Sequence, residues 1–289
     1  MEMDLARKGK TVQDPVHGVI HLDHLAVKII DTKYFQRLRN IKQLGLTDYV
    51  YPGATHTRFA HSIGVYHLAC KMIQSIESDG FPDGAYKMTD GDKKCIRVAA
   101  LCHDLGHGPF SHIYEHMANS ILTEKERGEQ HWEHERLSAK LVERMFHEEL
   151  KDELTADNLN LVKKLIQGDK MDKGEKNQKY MFQIVSNADS GVDVDKWDYF
   201  NRDAMACGFL NGFQFDRCLS LARILETNPG VFELGYRDSD VLDLYNMFHT
   251  RFILHQRIRH KVIYAVDIMY HIFNTNTIVL GFILALSQL

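Results

Sequence analysis

Apolar side chains recur along this chain mainly at helical spacing, and the breaks in that period mark out its elements. In the Asp14-Pro-Val-His-Gly18 run Pro15 fixes its φ and Gly18 permits a tight bend; Ile20 and Leu22 then alternate with His21 and Asp23, predicting a short strand or hairpin. The period lengthens after that. Leu25, Ile29 and Ile30, followed by Phe35, Leu38 and Ile41, predict two helices with a stop and restart at Asp31-Thr32. Gly45 to Thr57 reads as a loop with a short strand at Tyr49-Val50-Tyr51. From Arg58, the positions Phe59, Ile63, Tyr66, Ala69 and Ile73 predict an amphipathic helix. A loop over Ser78 to Gly91 then leads into an apolar run that closes on His103-Asp104.

Downstream, Glu115 to Asn119 predicts a helical turn, Thr123 to Gln130 a charged loop, and His131-Trp-Glu-His134 the start of a helix continuing through Phe146. Leu159 to Ile166 predicts a helix and Gly168 to Lys179 a hydrophilic loop; Met181 to Val185 is apolar and Asn187 to Gly191 turns the chain. Further helices are predicted around Asp195 to Asp203, over Leu219 to Leu225 and over Val241 to Tyr270, with a short strand pair at Gly230 to Gly235. No internal repeat or low-complexity tract divides this pattern, which describes one mostly helical domain with a few short strands.

Composition narrows the class. The 289 residues, 44% of them apolar, suffice for a substantial core. A formal net charge of -4 gives no global attraction to nucleic acid or anionic membrane, so any polyanion contact rests on local clusters. One such cluster, Lys33, Gln36, Arg37, Arg39, Lys42 and Gln43, reads by default as a solvated helix face, with phosphate binding as the sharper alternative; another runs from Arg251 to Lys261. Five cysteines without a C-x-x-C pair read as reduced core residues of an intracellular protein, nuclear or cytoplasmic. Met1 to Gln13 is polar and carries no signal-like apolar run. Thr277 to Leu284 falls short of the roughly 20 apolar residues that span a bilayer, and Asn274 and Asn276 precede it, so it reads as a core helix cut short or an atypical terminus.

The stretch Ala99 to His112, A-A-L-C-H-D-L-G-H-G-P-F-S-H, carries the chemistry. An imidazole and a carboxylate buried side by side are costly unless both have partners, and a divalent cation satisfies the two at once. For an isolated pair the plainer reading is a capped helix end. Company exists, however. His61 lies one turn from Arg58, and Asp195, Tyr199 and Asp203 share one face of a helix that must also bury Trp197 and Phe200. His61, His103, Asp104 and Asp195 therefore offer two imidazoles and two carboxylates from three helices, a set suited to zinc, iron(II), manganese or, less well, magnesium. The H-D-L-G-H spacing is not the H-E-x-x-H zinc protease helix, because Gly106, Gly108 and Pro109 break the helix and an Asp replaces the Glu base.

The set H…HD…D resembles the HD-domain metal-dependent phosphohydrolases. The runs D-P-V-H-G, I-I-D-T-x-x-F-Q-R-L-R-x-I-K-Q-L-G, H-D-L-G-H-G-P-F-S-H, D-V-D-K-W-D-Y-F and M-F-H-T-R are similar, over about Lys10 to Asp267, to the catalytic domain of the SAM-and-HD-domain deoxynucleoside triphosphate triphosphohydrolases. The resemblance implies the helical HD-domain fold, hydrolysis of a dNTP to deoxynucleoside and inorganic triphosphate, and a homo-oligomer (dimer to tetramer) assembled by GTP and dNTP at allosteric sites. It implies that His61, His103, Asp104 and Asp195 hold the metal, and that His134 protonates the leaving 5′ oxygen with His112 and Glu115 assisting. Arg58, His107, Lys196 and Arg251 would hold the triphosphate beside His112, Tyr199 and Asp203 would read the sugar, and Gln43 and Leu44 would line it. The GTP site would use Lys10, Thr11, Asp31, Gln36, Arg37 and Arg39, and a second nucleotide site Val50, Arg217, Arg237 and Lys261.

Some positions depart from that pattern. Glu115 replaces an Asp, and Ser239 and Asp243 replace a lysine and an asparagine near the second nucleotide. The helix after Arg251 is one residue short before His260-Lys261, which displaces the tyrosine expected over the substrate base by about 100° of helical rotation. The expected organisation is an N-terminal extension over 1–13 and an HD phosphohydrolase domain over 14–289, atypical or truncated after about 267, with neither a SAM domain nor the C-terminal lobe. The competing reading is a nucleotide-binding or single-stranded nucleic-acid-binding protein with weak or no turnover.

Overall fold

In a computed structural model of the chain, residues 9–121, 132–168, 176–209, 212–213, 215–270 and 272–273 are described. The loop at Thr123 to Gln130, His131, the hydrophilic stretch 169–175 and the apolar Thr277 to Leu284 lie outside them. The chain opens with an antiparallel hairpin, β1 (Lys10–Asp14) and β2 (Gly18–Leu22), in which Lys10 faces Leu22 and Asp14 faces Gly18. Residues 10–13, assigned above to an extension, are thus tied to the fold by strand pairing.

Helices follow: α1 (His24–Asp31), α2 (Lys33–Gln36), α3 (Arg58–Asp79), α4 (Asp90–Cys102), α5 (His112–Ile121), α6 (His134–Glu148), α7 (Ala156–Gln167), α8 (Lys179–Val185), α9 (Val194–Ala206) and α10 (Phe215–Leu221). A second antiparallel hairpin, β3 (Arg223–Asn228) and β4 (Val231–Gly235), precedes α11 (Val241–Ile258). Among the described residues the architecture is mostly α, with two small two-stranded sheets at its margins.

Capping chemistry explains the boundaries. Thr32 ends α1 and starts α2: its hydroxyl donates to Ile29 O at 2.7 Å and accepts from Phe35 N at 3.3 Å, so the Asp31-Thr32 break is a shared cap. α4 starts on a reciprocal Thr89/Asp92 capping box, and α9 on Asp193, whose carboxylate accepts from Lys196 N.

Helix α3 is the axis of the fold. It packs against α4, α9, α10 and both hairpins, and Ser62, Ile63, Gly64, Val65 and Tyr66 are all buried, so its first half is enclosed on every side rather than amphipathic. Of the polar side chains buried in it, Arg58 and His61 have hydrogen-bond partners, whereas Ser62 Oγ has none among the described residues.

Four local expectations are corrected. Tyr49-Val50-Tyr51 is no strand, because a 3₁₀ turn over Thr47–Tyr49 closes on Thr47 O instead. The helical turn at Glu115 is a full helix from His112 to Ile121. The helix expected over Leu219 to Leu225 ends at Leu221, and Arg223–Asn228 becomes a strand because β4 supplies a pairing partner and Ile224 and Phe232 are buried together. The last long helix breaks at Arg259-His260; His260 Nδ1 accepts from Val262 N at 3.3 Å and caps a new helical stretch, 261–270.

Candidate metal centre and nucleotide cavity

Three helices bring the metal candidates to one point. α3 carries His61 one turn after its start, α4 ends so that His103 is its C-cap with Asp104 next, and α9 presents Asp195 in its first turn. His61 Nε2 lies 3.0 Å from Asp195 Oδ1, 3.2 Å from His103 Nε2 and 3.5 Å from Asp104 Oδ2. His103 Nε2 is 3.4 Å from Asp195 Oδ1 and 3.5 Å from Asp104 Oδ1. The far edges of both rings are engaged: His103 Nδ1 donates to Ala100 O at 2.8 Å, and His61 Nδ1 to Asp198 Oδ2 at 2.7 Å. With the protons there, the two Nε2 lone pairs face each other and two carboxylates, an arrangement that only positive charge reconciles.

The electrostatics agree. Burial works against a charged His61, yet the Asp195 and Asp198 carboxylates lift it to about 10, and His103 is raised in the same way by Asp104 and Asp195. Burial likewise opposes ionisation of Asp195, but His103 and His61 hold it well below the usual carboxylate range. A divalent cation meets the same field without protons, and the mixed nitrogen and oxygen donors fit one.

The turn after Asp104 is shaped by α6. A Cβ on Gly106 would stand 2.0 Å from His134 O and 2.6 Å from Ser138 N, so only glycine lets α6 dock there. Ser138 fastens the contact, accepting from Gly106 N at 2.7 Å and donating to His103 O at 2.5 Å. Phe110 and Ser111 adopt φ of 61° and 58°, a strained conformation held because buried Ser111 accepts from Arg58 Nε at 2.8 Å and donates to Lys42 O at 2.7 Å. Arg58 Nη1 donates to Asp104 Oδ2 at 2.5 Å and, although burial opposes it, keeps that carboxylate ionised.

Docking of α6 also stacks His134 on His107, ring centroids 3.9 Å apart. Glu115 Oε2 is 3.2 Å from both His134 Nδ1 and His112 Nδ1, so its longer arm reaches two imidazoles. Burial opposes charge on His134, yet Glu115 raises its pKa; beside Arg58, burial leaves His107 far below the ordinary range and neutral. Neither nitrogen of His107 has a hydrogen-bond partner among the described residues, and its Nε2 lies 3.4 Å from Asp104 Oδ1.

These groups line a cavity of about 630 Å³, a size suited to a small-molecule ligand. His103, Asp104, Asp195, Arg58, His107, His112, His134, Lys196, Tyr199, Asp203, Arg251, Gln43 and Leu44 all line it; His61 and Glu115 are not among its lining residues, and Glu115 lines a neighbouring cavity with His112 and His134. Lys196 is held by Asp193 Oδ2 at 2.6 Å. The HD-domain sequence pattern matches residues 58–202, half of the chain and the segment that carries this site. The chain belongs to the HD-domain family.

The chain is 38% identical over 278 residues to the deoxynucleoside triphosphate triphosphohydrolase SAMHD1 of Homo sapiens and 39% identical over 282 residues to that of Danio rerio. It is 34% identical over 264 residues to the SAMHD1 homolog of Dictyostelium discoideum. These matches take in 90–91% of this chain and 43–48% of the relatives, so the chain spans less than half of their length.

Residues proposed for GTP divide. Lys10, Asp31, Gln36 and Arg39 line a second cavity of about 400 Å³, with the Arg39 guanidinium 3.6 Å over the Phe59 ring, while Arg37 donates to Leu105 O and Thr11 is not among the lining residues. Val50, Arg217, Arg237 and Lys261 are joined by no hydrogen bond or ion pair among the described residues, and Arg217 donates to Asp240 at 3.0 Å. Sequence reasoning missed His56, which is 2.6 Å from Asp203 Oδ1, and Asp198; the signal for the latter was a second acid three residues after Asp195 on a buried helix.

Proposed function

We propose that this HD domain hydrolyses a deoxynucleoside triphosphate to deoxynucleoside and inorganic triphosphate. The observation that carries the reading is the His61, His103 and Asp195 cluster, with Asp104 3.5 Å from both imidazoles, meeting three cationic side chains and a carboxylate-held imidazole around one cavity. A divalent cation held by those four residues would supply Lewis-acid polarisation and charge neutralisation. Arg58, Lys196 and Arg251 bind the phosphate oxygens and offset the charge that develops during transfer. Glu115 holds the His134 proton at Nδ1 and orients the ring, which donates to the leaving 5′ oxygen. Tyr199, and Asp203 braced by His56, face the sugar. The curated relatives, named as triphosphohydrolases of deoxynucleoside triphosphates, support the same substrate class.

GTP at the Lys10/Asp31/Arg39 cavity, where Asp31 accepts from the guanine edge, and a dNTP near Val50, Arg217, Arg237 and Lys261 are the regulatory ligands of this reading. Self-association is supported by Val241, Tyr245, Phe248 and Phe252, exposed at i, i+4, i+7 and i+11 along α11. Incubating the metal-loaded chain with dGTP, with and without GTP, should release deoxyguanosine and triphosphate. His103→Ala with Asp104→Ala should abolish both metal uptake and release; bound metal with no triphosphate under either condition would instead favour a protein that binds nucleotide or single-stranded nucleic acid without turnover.

A further inference from the structure

The Asp14-Pro-Val-His-Gly18 turn has no part in the reaction described above, yet it reaches the metal cluster through a buried chain of charge. Asp198 sits behind His61 on α9, and all of its acceptor capacity is used. Oδ2 accepts from His61 Nδ1 at 2.7 Å and from Arg202 Nε at 2.8 Å; Oδ1 accepts from His17 Nε2 at 2.6 Å and from Arg202 Nη2 at 2.8 Å. Arg202 continues to Asp14, Nη1 to Oδ2 at 2.9 Å and Nη2 to Oδ1 at 3.3 Å. Asp14 Oδ1 also accepts from Val16 N and His17 N, so one carboxylate both shapes the turn that aims His17 and anchors the arginine that aims Asp198. The side chains of His17, Asp198, Arg202 and Asp14 are 1%, 0%, 1% and 6% exposed.

We propose that Asp198 is a positioning residue of the metal centre, locking His61 as a ligand through Nε2, and that His17, Arg202 and Asp14 form the outer clamp that holds Asp198 in place. Three observations converge on this. A carboxylate on the far nitrogen of an imidazole fixes its tautomer and ring orientation and makes it a stronger metal ligand. His61 is itself buried, in the enclosed first half of α3, so its Nδ1 faces Asp198 and not solvent. The helix is also cut away for Asp198: a Cβ on Gly64 would stand 1.8 Å from Asp198 Oδ1 and 2.5 Å from Arg202 Nη2, so glycine one turn after His61 is what admits the carboxylate. A core needing only to be filled would not leave that position bare and place four buried polar side chains against it.

The proposal rests on the metal reading of the cluster but not on the substrate, so its test uses zinc as the probe and zinc affinity as the readout. Zinc is titrated against a chromogenic chelator into the wild-type chain and into Asp198→Asn, His17→Phe and Gly64→Ala. Asp198→Asn removes the charge, His17→Phe keeps the ring beside His67 and Phe215 but removes one donor, and Gly64→Ala displaces Asp198 without altering any polar group. Each variant should bind zinc more weakly, Asp198→Asn and Gly64→Ala by about 10- to 100-fold. Histidine-labelled zinc protein should show His61 coordinated through Nε2 with a hydrogen-bonded Nδ1 proton. Wild-type zinc affinity in the folded variants would overturn the proposal, and if Asp198→Asn fails to fold, unchanged affinity in the other two decides it. Coordination of His61 through Nδ1 overturns it as well. A wild-type chain that takes up no zinc overturns this proposal and the metal reading together, whereas zinc uptake without dNTP hydrolysis defeats only the substrate reading.

Discussion

At the scale of single residues, the site is governed by how burial and partners compete. His134 and His107 stack on each other, yet the first is pushed toward the imidazolium by Glu115 while the second is left neutral by burial beside Arg58. Glu115→Gln removes one of the carboxylates that, with Glu135 and Asp104, together outweigh burial, so the pKa of His134 should fall and the alkaline limb of kcat/KM should move to lower pH, which a pH–rate profile checks. The sign of the stability effect follows from the same shifts. His134, raised above its ordinary 6.5, contributes stability fully present below 6.5 and lost as pH rises through its folded value. Glu115, depressed below 4.5, contributes stability present above 4.5 and lost as pH falls through its folded value, so the pair contributes most between 4.5 and 6.5. The metal candidates were legible in the sequence because each is an ionisable residue forced into an apolar setting. His56 was not, since nothing in its neighbourhood names Asp203 as its partner 147 residues away.

At the scale of elements, the docking of α6 onto the turn after α4 decides where His134 stands. Gly106→Ala places a methyl group 2.0 Å from His134 O and should separate the two elements. The expected result is a lowered urea midpoint, with a loss of about 1–3 kcal/mol typical of overpacking, and a larger loss of kcat than of metal affinity. Arg202→Met should cost about 3–5 kcal/mol, because it leaves Asp14 and Asp198 buried without their shared cation; chemical denaturation of the metal-free chain measures this. Helix α11 is double-faced: Arg251, Leu254, His255 and Ile258 line the cavity while Val241, Tyr245, Phe248 and Phe252 face outward.

At the scale of the whole molecule, the proposed metal binding and self-association would be linked to stability by mass action. Zinc at 100 times its Kd should stabilise the chain by about 2.7 kcal/mol, and a chelator should return Tm to the metal-free value in a thermal scan. The outward face of α11 should support self-association: Tyr245→Glu with Phe252→Glu is expected to shift sedimentation toward the monomer while leaving zinc affinity unchanged.

The sequence by itself determined the helical period, the shared break at Asp31-Thr32, the His103-Asp104 pair at a helix end and the face that joins Asp195, Tyr199 and Asp203. All of these depend on neighbours within one or two turns, whose spacing the chain records directly. Only the tertiary structure decided that Arg223–Asn228 pairs as a strand, that His260 caps a new helix, that Glu115 reaches two histidines, and that His17 closes onto Asp198 across 181 residues. The physical reason is the same in each case. Strand pairing, capping geometry and a buried hydrogen bond depend on which groups the fold brings within about 3 Å, and residue type alone does not specify that distance.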